Sequence, residues 1–514
     1  MQFSSFSYLI FILILSIIYF TAPKKIQNIT LLIGSITFYI ANTKLLTNFS
    51  IEKIIPFSVL VFSVIFTYFM AIKIDSAKLK IKKKYLFFAI SVCVIVLCFF
   101  KYSNFIIPTL LNFTGLNALN LPLGISFYTF ASIGYLIDVY RKDVEAEKNI
   151  IVYANFVCFF ATIISGPICR AGKIIPQLKK EHSFNYINTT KNMRITLIGY
   201  FKQIAIANVL ALFCNQVFEN LSEYSGFILT ITMLVYSLQL YFEFSGYSDI
   251  ALASAGILGI EIPQNFKTPY FTTNFSAFWS RWHISLSNWL QDYIFMPLVW
   301  GGWHKKIPVL NKVIKGQPIL ISLFLVFFIS GFWHGNTLPF VFWGILQAVY
   351  RIGEELMHRV KKPIKKPKLN IRILKTSFVY ILWSVSLVFF RIGLVESATI
   401  NDGVNIIFSP FFISSKNGLW NDIVNVISTS FYSNNAMVLL YIVYLVLTIS
   451  IGIYMDYYQC WKLKNKHISI AIENKKNIVV RYLIYYVLIS FILVGFIMNS
   501  GGFASGNFGA YANF

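Results

Sequence analysis

Apolar runs close to 20 residues long recur along the chain, separated by short lysine-rich stretches and by segments carrying little charge. A helix needs ~20 mostly apolar residues to cross the hydrocarbon core, so each run is a candidate span. They fall at 5–22, 27–46, 54–73, 85–101, 122–140, 150–167, 195–217, 226–258, 318–334, 337–350, 376–396, 436–456 and 478–498. The pattern predicts an all-α polytopic membrane protein with about 11–13 transmembrane helices. The first run, Tyr8 to Phe20, has no basic segment before it and no small-residue cleavage site after it. An uncleaved first span is expected there.

Basic blocks orient these spans. Lys78–Lys84, Arg141–Lys148, Lys173–Arg194, Lys305–Lys315, Arg351–Lys375 and Lys462–Arg481 belong on the cytoplasmic side. The segments 102–121, 219–225 and 397–435 carry few positive charges and are expected outside, as is the uncharged run from Gly501. One segment breaks the alternation, because both flanks of 150–167 are basic. A re-entrant hairpin turning at Ser165-Gly166-Pro167 resolves this if its non-helical backbone is buried in protein. The stretch 261–316 sets Trp279, Trp282, Trp289, Trp300 and Trp303 among polar residues, a density expected of interfacial or re-entrant helices. No repeat or interdomain linker interrupts the chain, so residues 1–514 read as one membrane domain.

Composition agrees with the pattern and removes other classes. The chain is 57% hydrophobic and only 12% charged, about half the usual share, too few charges to cover a soluble protein of 514 residues. The net charge of +24 sits in loops between apolar runs, where it faces anionic lipid headgroups. It forms no basic face with interleaved aromatics, so no nucleic acid is expected. None of the six cysteines forms a CxxC pair, and they read as small buried hydrophobes. No HExxH, GxSxG, GxxxxGK[ST] or GxGxxG motif occurs, and no metal site is expected.

Chemistry is concentrated where polar residues meet apolar surroundings. Glu243, Ser245, Tyr247, Ser248 and Asp249 lie within the 226–258 run. Carboxylates there must face a bundle interior or a water-filled cavity, or form a helix-packing network around a close approach at Gly246. Arg281, His283, Ser285 and Ser287 share a short amphipathic stretch, and His334 ends an apolar run between glycines. Of the six histidines, His182, His304, His358 and His467 lie in basic loops and read as solvated. His283 and His334 sit in apolar, tryptophan-rich settings, where a neutral imidazole serves as general base or nucleophile.

The ordered motifs resemble those of the membrane-bound O-acyltransferase family, and its bacterial branch typified by the alginate O-acetyltransferase membrane subunit. They are Leu121-Pro-Leu-Gly-Ile-Ser-Phe-Tyr-Thr-Phe with Tyr135-Leu-Ile-Asp-Val-Tyr, Ser165-Gly-Pro-Ile-Cys-Arg with Pro176-Gln-Leu, and Phe242-Glu-Phe-Ser-Gly-Tyr-Ser-Asp-Ile-Ala. Asn265-Phe with Pro269-Tyr, Phe278-Trp-Ser-Arg-Trp-His-Ile-Ser-Leu-Ser-Asn-Trp-Leu with Asp292-Tyr, and Ile329-Ser-Gly-Phe-Trp-His-Gly with Phe342-Trp-Gly complete the set. Together they span a catalytic core of about 121–346.

The resemblance implies re-entrant and interfacial helices around a central funnel. It implies that His334 is the essential histidine and that His283 supports it. Arg281, Trp282, Ser287, Trp333, Asn265, Glu243, Tyr247 and Asp249 become candidates for lining the donor tunnel, with Arg281 near donor phosphates. It further implies acetyl-CoA as a donor substrate, with no bound cofactor. An extracytoplasmic, serine hydrolase-like acetyltransferase partner and a polysaccharide acceptor follow from the same likeness, as does a place in the bacterial cytoplasmic membrane. Three positions depart from the family pattern. Glu243 stands where aspartate is more common, Gln347 stands where relatives often carry histidine, and the run after Tyr293 is longer and more aromatic. Two rival readings stay open: D-alanyl transfer from a carrier protein to teichoic acid, and a non-catalytic tunnel or scaffold.

Overall fold

A computed structural model describes residues 1–43, 51–111, 121–224, 226–301, 318–360, 368–395, 398–411, 418–430, 435–473 and 477–500. His304, Trp303, the Lys305–Lys315 block and the run from Gly501 lie outside the described residues, as do parts of 102–121, 351–375 and 397–435. The described residues are predominantly helical and contain no strand. The chain is an all-α polytopic membrane protein, as the hydropathy pattern predicts.

Seven described helices are long and apolar enough to span: Ile54–Ser76, Leu79–Tyr102, Tyr186–Glu219, Gly226–Ile257, Leu369–Ile392, Asn435–Trp461 and Ile478–Asn499. The other expected spans are helices of different length. Phe6–Thr21, Gln27–Thr43, Ile125–Arg141 and Pro318–His334 have 16 or 17 residues each. Leu338–Val360 has the length but carries Arg351, Glu354, Glu355 and Arg359 in its second half. Ile150–Cys158 has only nine residues, about 14 Å of rise and half a bilayer core. The chain then turns through 159–166 with nearly every residue buried. Buried non-helical backbone of this kind is what a re-entrant segment requires.

The chain divides into two compact units. Among the described residues, the first comprises Met1–Thr196 and Tyr247–Gln264, and the second comprises Leu197–Gly246 and those from Asn265 to Ser500. Buried polar bonds tie the first together: Tyr8 Oη donates to Ser254 Oγ at 2.7 Å, and Asn155 Nδ2 donates to the Asn28 carbonyl at 2.7 Å. Inside hydrocarbon such bonds replace the water that would otherwise satisfy these groups. His182, expected to be solvated, is half-buried with Nε2 3.0 Å from the Gln177 carbonyl oxygen.

In the second unit the decisive packing is a helical hairpin of Pro318–His334 and Leu338–Val360. Its helices cross at Gly331 and Gly344, whose Cα atoms are so close that a Cβ on either would lie 3.0 Å from the other's Cα. A Cβ at Gly331 would also stand 2.5 Å from the Phe340 carbonyl oxygen, and one at Gly344 2.5 Å from that of Phe327. Small residues let membrane helix backbones meet this closely. Because the obstructing atoms are backbone, Gly331→Ala has no side chain to displace. It is expected to destabilise the second unit by about 1–3 kcal/mol, the usual cost of overpacking. A lower midpoint of denaturant unfolding in detergent, relative to wild type, checks this.

Candidate active site

Elements of the second unit position both candidate histidines. His334 is the last residue of Pro318–His334, just after the glycine crossing. Only 4% of it is exposed, and its ring is enclosed by Trp333 at 4.6 Å, Trp343 at 5.0 Å and Phe390 at 5.1 Å between centroids. Trp343 comes from the second arm of the hairpin and Phe390 from the end of Leu369–Ile392. These three rings leave the imidazole with almost no access to water.

His283 is held by backbone rather than by rings alone. It adopts the left-handed conformation, φ 42°, at the start of the helix Ile284–Leu290. For a non-glycine residue this costs about 1–3 kcal/mol and persists only where neighbours enforce it. Asn265 supplies the enforcement. Its carbonyl accepts from Ile284 N at 2.9 Å and its Oδ1 from Ser285 N at 3.2 Å, while Lys267 N donates to the Arg281 carbonyl at 3.0 Å. Ser287 adds a bond from Oγ to the Trp282 carbonyl at 3.2 Å. Asn265 and Ser287 therefore shape the turn that carries His283.

The His283 ring is 2% exposed and meets Phe244 edge-on at 4.8 Å. Neither ring nitrogen has a hydrogen-bond partner among the described residues. Burial pushes the imidazole down to about 3. Trp282 is also buried, against Phe266 at 5.1 Å, Phe278 at 5.7 Å and Trp383 at 4.8 Å. Arg281 places Nη1 3.7 Å from Cys460 Sγ. Cys460 is thus a neighbour of a cation rather than a small buried hydrophobe.

The two histidines are joined by an unbroken series of ring contacts. From His283 it runs through Phe244, Phe266, Trp282, Trp383, Trp279 and Trp343 to His334, with centroid separations between 4.8 and 6.2 Å. Tryptophans expected at an interface serve here as interior packing, although Trp300 is 80% exposed. Trp383, 1% exposed, lies outside every motif in the sequence. A single tryptophan in an apolar run carries no signal that could have found it. Asp456 was equally silent. It is buried on Asn435–Trp461 and accepts a hydrogen bond from Tyr241 Oη at 2.5 Å.

Glu243 is buried in the second unit, one residue before Phe244. Gly246 there makes the expected close approach, since a Cβ would stand 2.8 Å from the Gly199 carbonyl oxygen. Tyr247 and Asp249 belong to the first unit. Tyr247 stacks on Phe3 at 4.6 Å, and Asp249 is buried.

The profile of the membrane-bound O-acyltransferase family matches residues 144–392, which include both histidines and Trp383. The peptidoglycan O-acetyltransferase of Helicobacter pylori is 34% identical over 373 residues, 66% of this chain and 68% of that protein. The chain belongs to the membrane-bound O-acyltransferase family. It is an O-acyltransferase of the alginate O-acetylase branch. The probable alginate O-acetylase of Pseudomonas putida is 30% identical over 413 residues, 78% of this chain and 79% of that protein. The teichoic acid D-alanyltransferase of Streptococcus thermophilus is 29% identical over 258 residues, covering 48% of this chain and 60% of that protein.

The depressed His283 basicity has a consequence for pH. An unfolded histidine takes a proton near 6.5, and the folded one refuses it until about pH 3. Its contribution to stability is therefore complete above pH 6.5 and is lost as pH falls from there toward 3. Wild type is expected to lose stability through this window by up to about 1.4 kcal/mol per pH unit more than His283→Gln. Unfolding midpoints of both proteins in detergent between pH 7.5 and 4.5 check the difference.

Proposed function

We propose that this acyltransferase takes an acetyl group from cytoplasmic acetyl-CoA and passes it through the bacterial cytoplasmic membrane. The acetyl group ends on an exported or cell-envelope polysaccharide, completed by an extracytoplasmic, serine hydrolase-like partner. The observation that carries the reading is His334 itself: a buried imidazole, walled by Trp333, Trp343 and Phe390, at the end of an apolar helix. Relatives named for alginate and peptidoglycan acetylation support the acceptor class.

The chemistry follows from that setting. A polymer outside the cell cannot reach a cytoplasmic thioester, so the two must meet within the membrane thickness. His334 takes the proton from an acceptor hydroxyl as its oxygen attacks the thioester carbonyl. The C–S bond breaks, an ester C–O bond forms, and the imidazolium returns the proton to the departing thiolate. Only the neutral imidazole performs the first step.

D-alanyl transfer is the second reading, favoured by the likeness to teichoic acid D-alanyltransferases, which covers less of the chain. Cells carrying wild type or His334→Ala at equal membrane levels distinguish these outcomes. Base-labile acetate on purified envelope polysaccharide is expected to fall at least 100-fold with the alanine variant. Acetate that persists unchanged contradicts the reading, and loss of ester-linked D-alanine in its place transfers it to the second.

A further inference from the structure

Beyond His334, the second arm of the hairpin carries three buried polar groups without a hydrogen-bond partner among the described residues, Glu354 Oε1 and two that lie a turn apart, on Trp343 and Gln347. Trp343 is 2% exposed and its indole Nε1–H has no acceptor among the described residues. Gln347 is fully buried, and its Oε1 has no donor among them. Its Nε2 is already committed, donating to Ser386 Oγ at 2.7 Å, while Ser386 in turn donates to the Trp383 carbonyl at 2.7 Å. The amide is thus clamped in one orientation, with its oxygen left over. Two unmade hydrogen bonds in a dry interior are costly, and a site that keeps both is matched to a ligand that supplies an acceptor and a donor.

Geometry narrows what that ligand is. Positions 343 and 347 are one turn apart on one helix face, a rise of about 6 Å. Trp343 touches His334, and Gln347 lies one turn further toward Arg351, where the expected cytoplasmic basic block begins. The donor therefore meets Gln347 before it reaches the histidine. In a pantetheine thioester the acyl carbonyl is separated from the first amide by a sulfur and two methylenes, about 5 Å when extended. One acceptor and one donor at that spacing fit the rise between the two side chains.

We propose that Trp343 and Gln347 form the seat for the reactive end of a pantetheine thioester. The Trp343 indole N–H holds the acyl carbonyl oxygen beside His334, and Gln347 Oε1 accepts from the first amide N–H of the arm. This rests on the thioester reading above and makes residue 347, glutamine where relatives often carry histidine, the one that recognises the donor arm. Coenzyme A and a carrier protein present the same pantetheine chemistry, so the seat serves either source.

The test uses the full-length purified protein with its extracytoplasmic partner, isolated envelope polysaccharide as acceptor, and release of free thiol as readout. Three donors are compared: S-acetyl-pantetheine, its analogue N-methylated at the first amide, and S-ethyl thioacetate, which has no amide. Wild type is expected to use the first about 10-fold better than the second in kcat/KM, a comparison that needs no variant to fold. Gln347→Met is expected to raise KM for S-acetyl-pantetheine about 10-fold and so to erase the preference for it over the methylated analogue. Trp343→Phe, which keeps a ring against His334, is expected to lower kcat about 100-fold for every donor. Equal use of the methylated and unmethylated donors by wild type overturns the seat, as does an equal loss on all donors in Gln347→Met. Wild type inert toward every acetyl thioester, including acetyl-CoA, removes the functional reading itself. Comparing acetyl-CoA with an acetylated carrier protein identifies the source, and the Gln347→Met effect is expected to be the same on both.

Discussion

The backbone contact between Gly331 and Gly344 is the constraint on which the candidate active site depends. With no side chain on either residue, Pro318–His334 and Leu338–Val360 approach to backbone distance. Three residues past the crossing on one arm is His334, and one residue before it on the other is Trp343. The separation of those rings, 5.0 Å, is set by how closely the helices meet. In a bilayer no hydrophobic force presses helices together, so contact of this kind relies on van der Waals packing between small residues. Placement of the histidine is thus encoded in what the glycines lack.

Around that crossing, the interior is built from rings. The series from His283 to His334 passes through four tryptophans and two phenylalanines, each in contact with the next. Rings fill space rigidly, with few rotatable bonds, and they exclude water. Both effects suit the acyl transfer proposed at His334, since a rigid wall fixes the ring and a dry one keeps water from a thioester. The same dryness explains the contrasting supports of the two histidines. His334 depends on aromatic walls, whereas His283 depends on the Asn265 hydrogen bonds that hold its backbone at φ 42°.

Much of this was legible from residues alone, and the rest was hidden for identifiable reasons. Hydropathy located the long helices, because a bilayer leaves the backbone no alternative to helical hydrogen bonding. The motifs located His283 and His334, whose polar rings stand out against apolar neighbours. Trp383 and Asp456 were hidden, since a residue that acts through tertiary contact with a distant segment leaves no local pattern. At Ile150–Cys158 hydropathy alone reads a span, and the basic flanks point instead to a re-entrant hairpin, which suits a helix that stops after nine residues. Hydropathy counts buried non-helical residues such as Phe159 to Ile164 as readily as lipid-facing ones. In the sequence Gln347 stands out only as a departure from histidine, whereas its burial and its clamp to Ser386 reveal an oxygen without a donor among the described residues.

The central claim is that an acyl group crosses the membrane at His334. Proteoliposomes holding the protein in one orientation, with radiolabelled acetyl-CoA confined to the cytoplasmic face and polysaccharide plus the extracytoplasmic partner on the other, test it directly. Label is predicted to appear as base-labile acetate on the polysaccharide, and to be absent with His334→Ala at equal reconstitution. Label that transfers equally well with the alanine variant, or that requires donor and acceptor on the same face, would contradict the account.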